Sequence, residues 1–296
     1  VILHQPAESS KTGILYAVLA YSAWGLFPVY WKFLAQVPAV ELVCHRIIWS
    51  ALLLLGLLRI QKQHANFWEL WRSPKLVGAL FATTAIIACN WGVYIYGVNT
   101  GRIVETSLGY YINPLVSVLL GSVILKERLN RGQKLAVVMA AIAVGNFVWH
   151  FGQVPWIAIF LALSFATYGL FRKLITVSPI VGLTVETLLA MPIALGWVGY
   201  RAVTGTGFFG MDGQVTLLLI GCGVVTALPL LWFNNAAKRL RLSTMGFFQY
   251  LAPSLQLALG VLFYHEPFTA IHGLTFTLIW SAIALYSVSS VSKLAE

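Results

Sequence analysis

Apolar residues fall into ten long runs along this chain, near 12–33, 39–59, 75–98, 104–125, 134–150, 154–174, 180–201, 214–237, 244–264 and 270–290. Charge, proline or glycine bounds each run. Each is long enough to cross the hydrocarbon core of a bilayer as a helix, which takes about 20 residues. So little polar sequence remains between the runs that a helical bundle is the architecture expected, because lipid offers the backbone no hydrogen-bond partners. The first run continues far past the core of a signal peptide and lacks a small-residue cleavage site, so it reads as a retained span.

Polar composition sharpens this picture. Charged residues make up 9% of the chain and hydrophobic ones 59%, whereas a soluble domain carries about 25% charged residues. A net charge of +10 does not point to nucleic acid, because the basic residues sit in short loops between apolar runs and form no patch on a polar domain. Cys44, Cys89 and Cys222 all lie inside apolar runs, without metal-ligand spacing, and read as small apolar residues. With the N-terminus placed in the cytoplasm, 15 of the 19 Lys and Arg residues fall in cytoplasmic segments. The outer loops keep Arg102 and Arg201, and Lys32 and Arg46 remain within spans. That bias predicts N-in and C-in orientation.

The chain is also written twice. Arg102, Pro114 and Glu127 are spaced by 12 and 13 residues, and Arg241, Pro253 and Glu266 repeat that spacing. Gly121 and Gly260 keep a common offset, and Ala23-Trp-Gly-Leu-Phe27 resembles Thr167-Tyr-Gly-Leu-Phe171. The flanking charge does not repeat: Lys126, Arg128, Arg131 and Lys134 surround Glu127, while only His265 adjoins Glu266. Five spans per unit is an odd number, so the second unit must enter the membrane from the opposite side. The expectation is an all-α membrane protein of ten transmembrane helices, arranged as two inverted five-helix repeats around a central cavity. Residues 1–11 form a cytoplasmic tail, 12–150 the first repeat and 154–290 the second, inverted one.

Several stretches carry a family resemblance: Tyr21-Ser-Ala-Trp-Gly-Leu-Phe-Pro28, His45-Arg-Ile-Ile-Trp-Ser50, Asn90-Trp91, Ser107-Leu-Gly-Tyr-Tyr-Ile-Asn-Pro-Leu115 and Arg241-Leu-Ser-Thr-Met-Gly-Phe-Phe-Gln-Tyr250. Together they resemble the EamA-type permeases of the drug/metabolite transporter superfamily, in the RarD branch. The resemblance covers nearly the whole chain and implies a bacterial inner-membrane permease with a central cavity. It names no substrate.

Candidate site residues follow from polar groups placed inside spans, where they are costly and face a cavity or a partner. Lys32, near the outer end of the first span, and Arg46, about 10 Å deep in the second at 1.5 Å per residue, are candidates to bind an anionic group. Alternatively, Lys32 snorkels to the interface and Arg46 pairs with Glu41 or a helix end. Pro114 and Pro253 free the carbonyls of Tyr110 and Gln249, and Asn113 and Gln249 offer amide donors and acceptors beside those bends. Trp24, Asn90, Trp91, Tyr110 and Tyr250 complete the expected substrate-binding set. Glu41, His45 and Glu186 are the candidates for coupling transport to protons, through shifted titration in low dielectric. Glu105 opens its span and reads as an end-of-helix acid.

The leading functional reading is a secondary transporter of small metabolites or amphipathic drugs by alternating access, with protons as the coupling ion. Its expected partners are a small-molecule substrate and the lipid bilayer, with no nucleic acid, acting as a monomer. No metal and no cofactor is expected. The alternatives are an intramembrane lipid-modifying enzyme and an uncoupled channel or facilitator. Against the enzyme stand a single aspartate, Asp212, and a His265-Glu266-Pro267 that lacks a second histidine. Against the channel stands the lack of a selectivity-filter motif. Nothing resembles an ATP-binding loop.

Overall fold

The computed structural model describes residues 7–124, 126, 129–175, 177–237, 239 and 248–295. Within them every element is a helix: α1 (Ala7–Lys32), α2 (Ala39–Ile60), α3 (His64–Trp71), α4 (Pro74–Asn99), α5 (Ile103–Ile124), α6 (Arg131–Phe151), α7 (Trp156–Leu174), α8 (Pro179–Val203), α9 (Gly213–Ala237), α10 (Leu251–Ala258) and α11 (Ala270–Ala295). α10 runs on into a π-turn, Leu259–Phe263. Seven helices are long and apolar enough to cross a membrane, and the apolar stretches Trp156–Arg172, Leu251–Phe263 and Ala270–Tyr286 are shorter. The protein is therefore a multi-pass membrane protein.

The helices begin and end where backbone chemistry requires. Pro74 and Pro179 open α4 and α8, at positions where a missing N–H costs nothing. Asn130 caps α6 reciprocally: its side chain accepts from the Gln133 N–H at 2.8 Å, and the Gln133 side chain accepts from the Asn130 N–H at 3.0 Å. Gly152 ends α6 at φ +62, in the left-handed region that glycine adopts freely. α3 was not expected from the apolar runs. It occupies the loop after α2, buries Phe67 and Leu70, and leaves Trp68 65% exposed.

The principal neighbours form a set with internal symmetry. α5 packs on α7 and α10 on α1; α2 packs on α9 and α8 on α4; α1 packs on α9 and α7 on α4. α2 packs on α8, α5 on α10 and α6 on α11. Exchanging α1, α2, α4, α5 and α6 for α7, α8, α9, α10 and α11 maps these pairs onto one another. Glycine permits the closest approaches. A Cβ on Gly109 of α5 would lie 2.8 Å from the Ala158 carbonyl oxygen of α7, and one on Gly25 of α1 would lie 2.7 Å from Leu255 Cβ of α10.

One end of the bundle is held by acids. Both oxygens of Glu266 accept from the first N–H groups of α5, at Ile103 and Val104, each at 2.8 Å. Glu105 accepts from the Ile157 N–H of α7 at 2.9 Å and pairs with Arg102. Glu41 accepts from the Phe208 N–H at 2.8 Å and from Arg201 Nε at 3.3 Å. The Tyr30 hydroxyl donates to the Leu218 carbonyl at the same end. Carboxylates at helix starts satisfy orphan N–H groups and meet the positive pole of the dipole. Glu127, the expected counterpart of Glu266, lies outside the described residues.

Candidate functional site

A cavity of ≈ 540 Å³ lies among α1, α2, α4, α5, α7, α8, α9 and α10. It reaches the last turn of α7 at Arg172 and the connection beyond it at Val177. That volume is within the range of about 300–1,000 Å³ seen for small-molecule sites. A recess of ≈ 10 Å³ beside it holds Glu186 and shares Ile87, Trp91 and Leu183 with the main cavity.

Arg46, the eighth residue of α2, is 5% exposed. Its guanidinium carbon stands 3.9 Å from the Trp91 ring centroid, 5.7 Å from that of Trp31 and 5.9 Å from that of Phe27. Its Nε and Nη1 are buried without a hydrogen-bond partner. Tyr94 and Tyr110, with ring centroids 5.7 Å apart, line the same cavity. The Tyr94 and Thr226 hydroxyls also lack hydrogen-bond partners.

Amides fasten the surrounding helices. Asn90 Nδ2 donates to Ser164 Oγ at 2.8 Å and to the Leu161 carbonyl at 3.3 Å, and Asn113 Nδ2 donates to the Ala162 carbonyl at 3.2 Å. Both therefore tie their helices, α4 and α5, to α7. Gln256 Nε2 donates to the Trp24 carbonyl at 3.1 Å, tying α10 to α1. The carbonyl oxygens of the Asn90 and Gln256 side chains are left unpartnered.

Glu186, the eighth residue of α8, is buried and fully engaged. It accepts from Thr83 Oγ1 at 2.6 Å and from the Tyr168 hydroxyl at 3.1 Å, and Arg172 Nη1 stands 3.7 Å away.

The EamA-like transporter family profile matches residues 11–148. A transporter of Bacillus subtilis, YojE, is 45% identical over 97% of this chain and 97% of its own length. The protein RarD of Salmonella typhi is 42% identical over 96% of this chain and 97% of its own. The chain belongs to the EamA-like transporter family, in its RarD branch. A solved crystal structure 14% identical in sequence shares the fold of this permease at a TM-score of 0.57, covering 94% of this chain and 98% of that one.

Of the substrate-binding candidates in this permease, Trp24, Arg46, Asn90, Trp91, Tyr110, Asn113 and Gln249 are brought together in the cavity wall. Lys32 and Tyr250 are not. Lys32 ends α1 with its ammonium 5.3 Å from the Tyr264 ring centroid. Tyr250 stacks on Tyr111, the residue at the same offset from the other repeat's proline, with centroids 6.3 Å apart. Among the coupling candidates, Glu186 lines the recess. Glu41 sits at the acid-tied end, and His45 accepts from Trp49 Nε1 at 3.3 Å and stacks on Phe209. Arg172, Tyr168, Thr226 and Gln256 were not singled out from the sequence, yet all four are in the wall. Arg172 looked like an ordinary loop cation, and Thr226 and Gln256 are lone polar residues in apolar helices with no spacing to mark them; Tyr168 did carry a signal, since it stands where Trp24 stands in the echoed motif.

Proposed function

We propose that this permease is a secondary transporter that moves small amphipathic molecules by alternating access between two inverted halves, 12–150 and 154–290. The observation that carries the reading is the ≈ 540 Å³ cavity walled by both halves, with buried polar groups left unmet in its wall. Helix directions support the inversion. The acid-tied end gathers the C-terminal end of α1 and the N-terminal end of α7, the start of α2 and the end of α8, and the start of α5 and the end of α10. Counterpart helices thus run opposite ways, as halves related by an axis in the membrane plane require.

In this reading all ten apolar helices cross the bacterial inner membrane, with both termini cytoplasmic and the permease acting as a monomer. The cavity then faces the cytoplasm, because its wall reaches Arg172, while the acid ties close the outer side. Glu186 is the proton-coupling group best placed to sense the cavity, across Trp91 and the shared recess. The permease performs no covalent chemistry. Proteoliposomes loaded with a bacterial metabolite extract test this reading. Compounds lost from protein-bearing vesicles, and not from empty ones, are identified by mass spectrometry and then assayed for counterflow. Trans-stimulated exchange is expected. Release without trans-stimulation would indicate a channel, and no protein-dependent release would end the transport reading.

A further inference from the structure

The cavity wall contains a buried cation that no described residue neutralises. Arg46 is nine-tenths buried and makes no hydrogen bond through Nε or Nη1. The acids of the neighbouring helices are engaged elsewhere, Glu41 by Arg201 and the Phe208 N–H and Glu186 by Thr83, Tyr168 and Arg172. Trp91 attracts the guanidinium through its ring face but leaves the charge and its donors unmet. An uncompensated cation at membrane depth is costly and marks a place where a partner belongs.

The surroundings say what kind of partner. Three other donors in the described wall lack a hydrogen-bond partner: the neutral hydroxyls of Tyr94 and Thr226, and Nη1 of Arg172. The second cation of the wall, Arg172, already faces Glu186 at 3.7 Å. One free cation fits one negative charge, whereas a phosphate dianion would call for two. A planar guanidinium matches a carboxylate through forked hydrogen bonds. The rest of the wall is rich in aromatic side chains, among them Phe27, Tyr110 and Phe165.

We propose that the cavity binds an aromatic monocarboxylate, with its carboxylate on the Arg46 guanidinium and its flat apolar body against Phe27, Tyr110 and Phe165. The inference rests on the transport reading for its biological sense, since the same cavity is the proposed route, but binding is measurable without transport.

The test uses the purified full chain in detergent and isothermal titration with benzoate, phenylacetate and indole-3-acetate, each beside its uncharged amide. At least one carboxylate is expected to bind about tenfold or more tighter than its amide. Arg46→Gln is expected to remove that preference while leaving amide affinity in place, and Arg46→Lys to restore part of it. If Arg46→Gln does not fold, the wild-type preference and the Arg46→Lys variant decide. Equal binding of acid and amide, no binding by any of the three acids, or a preference that survives Arg46→Gln overturns the proposal. Uptake of the same acids into proteoliposomes is scored separately. Arg46-dependent binding without uptake unseats the transport reading and leaves the anion site standing. Counterflow of uncharged or cationic compounds, unaffected by Arg46→Gln, does the reverse.

Discussion

Arg46 and Glu186 occupy the same position in two counterpart helices, the eighth residue of α2 and the eighth of α8. Both are buried titratable side chains, one basic and one acidic. Glu186 has three protein partners, and Arg46 has ring faces alone. In the proposed inverted-repeat reading the two positions correspond, and their chemistry differs. The satisfied member is already held by its neighbours and offers no open bond to a ligand. The unsatisfied member leaves a vacancy in the hydrogen-bond inventory, and that vacancy points to a ligand. Burial alone does not separate the two; the partner inventory does.

Four substitutions would break or sharpen that contrast. Arg46→Gln should cost the most in binding, about 100-fold in carboxylate affinity. It should not lower the thermal midpoint, since it orphans no acid; calorimetry and detergent melting curves report the two effects side by side. Glu186→Gln should do the opposite. It leaves Arg172 without its counter-charge and should lower stability by about 2 kcal/mol, with carboxylate affinity changed far less. A drop in affinity matching that of Arg46→Gln would show that the two positions share one site. Trp91→Leu removes the ring 3.9 Å from the Arg46 guanidinium and should weaken carboxylate binding by about tenfold, near the value of a desolvated cation–π contact. The smallest effect is expected from Tyr111→Phe, which deletes the 2.5 Å hydrogen bond to Ser254. About 1 kcal/mol of stability should be lost, with no change in binding, because this pair lies away from the Arg46 site.

The helices were legible because hydrocarbon imposes a length and a polarity on each span, and runs such as 39–59 and 104–125 lie almost on top of α2 and α5. The run at 244–264 corresponds to α10 and the π-turn from Leu251 onward, with 244–247 outside the described residues. α3 escaped notice because an eight-residue amphipathic helix has neither the length of a span nor the polarity of a loop. At the site, Arg46 stood out because charge in an apolar run is rare. The suggested pairing of Arg46 with Glu41 fails on spacing, since residues five apart do not share a helix face, and Glu41 instead meets Arg201. Partners such as Arg201 and Thr83 come from distant segments, and one sequence has no local pattern that joins them.

The π-turn after α10 carries a further consequence. Its closing backbone bond runs from the Tyr264 N–H to the Leu259 carbonyl at 2.8 Å. Such a turn stores one more residue than an α-helical turn spanning the same hydrogen bond. Absorbing that residue into regular α-geometry would swing everything downstream by about 100°, the angle between successive residues at 3.6 per turn. Downstream of it, Tyr264 meets the Lys32 ammonium and the Glu266 carboxylate holds the start of α5. The extra residue therefore lies just before the Glu266 clasp on α5, so that a change of helix register there would act directly on that clasp.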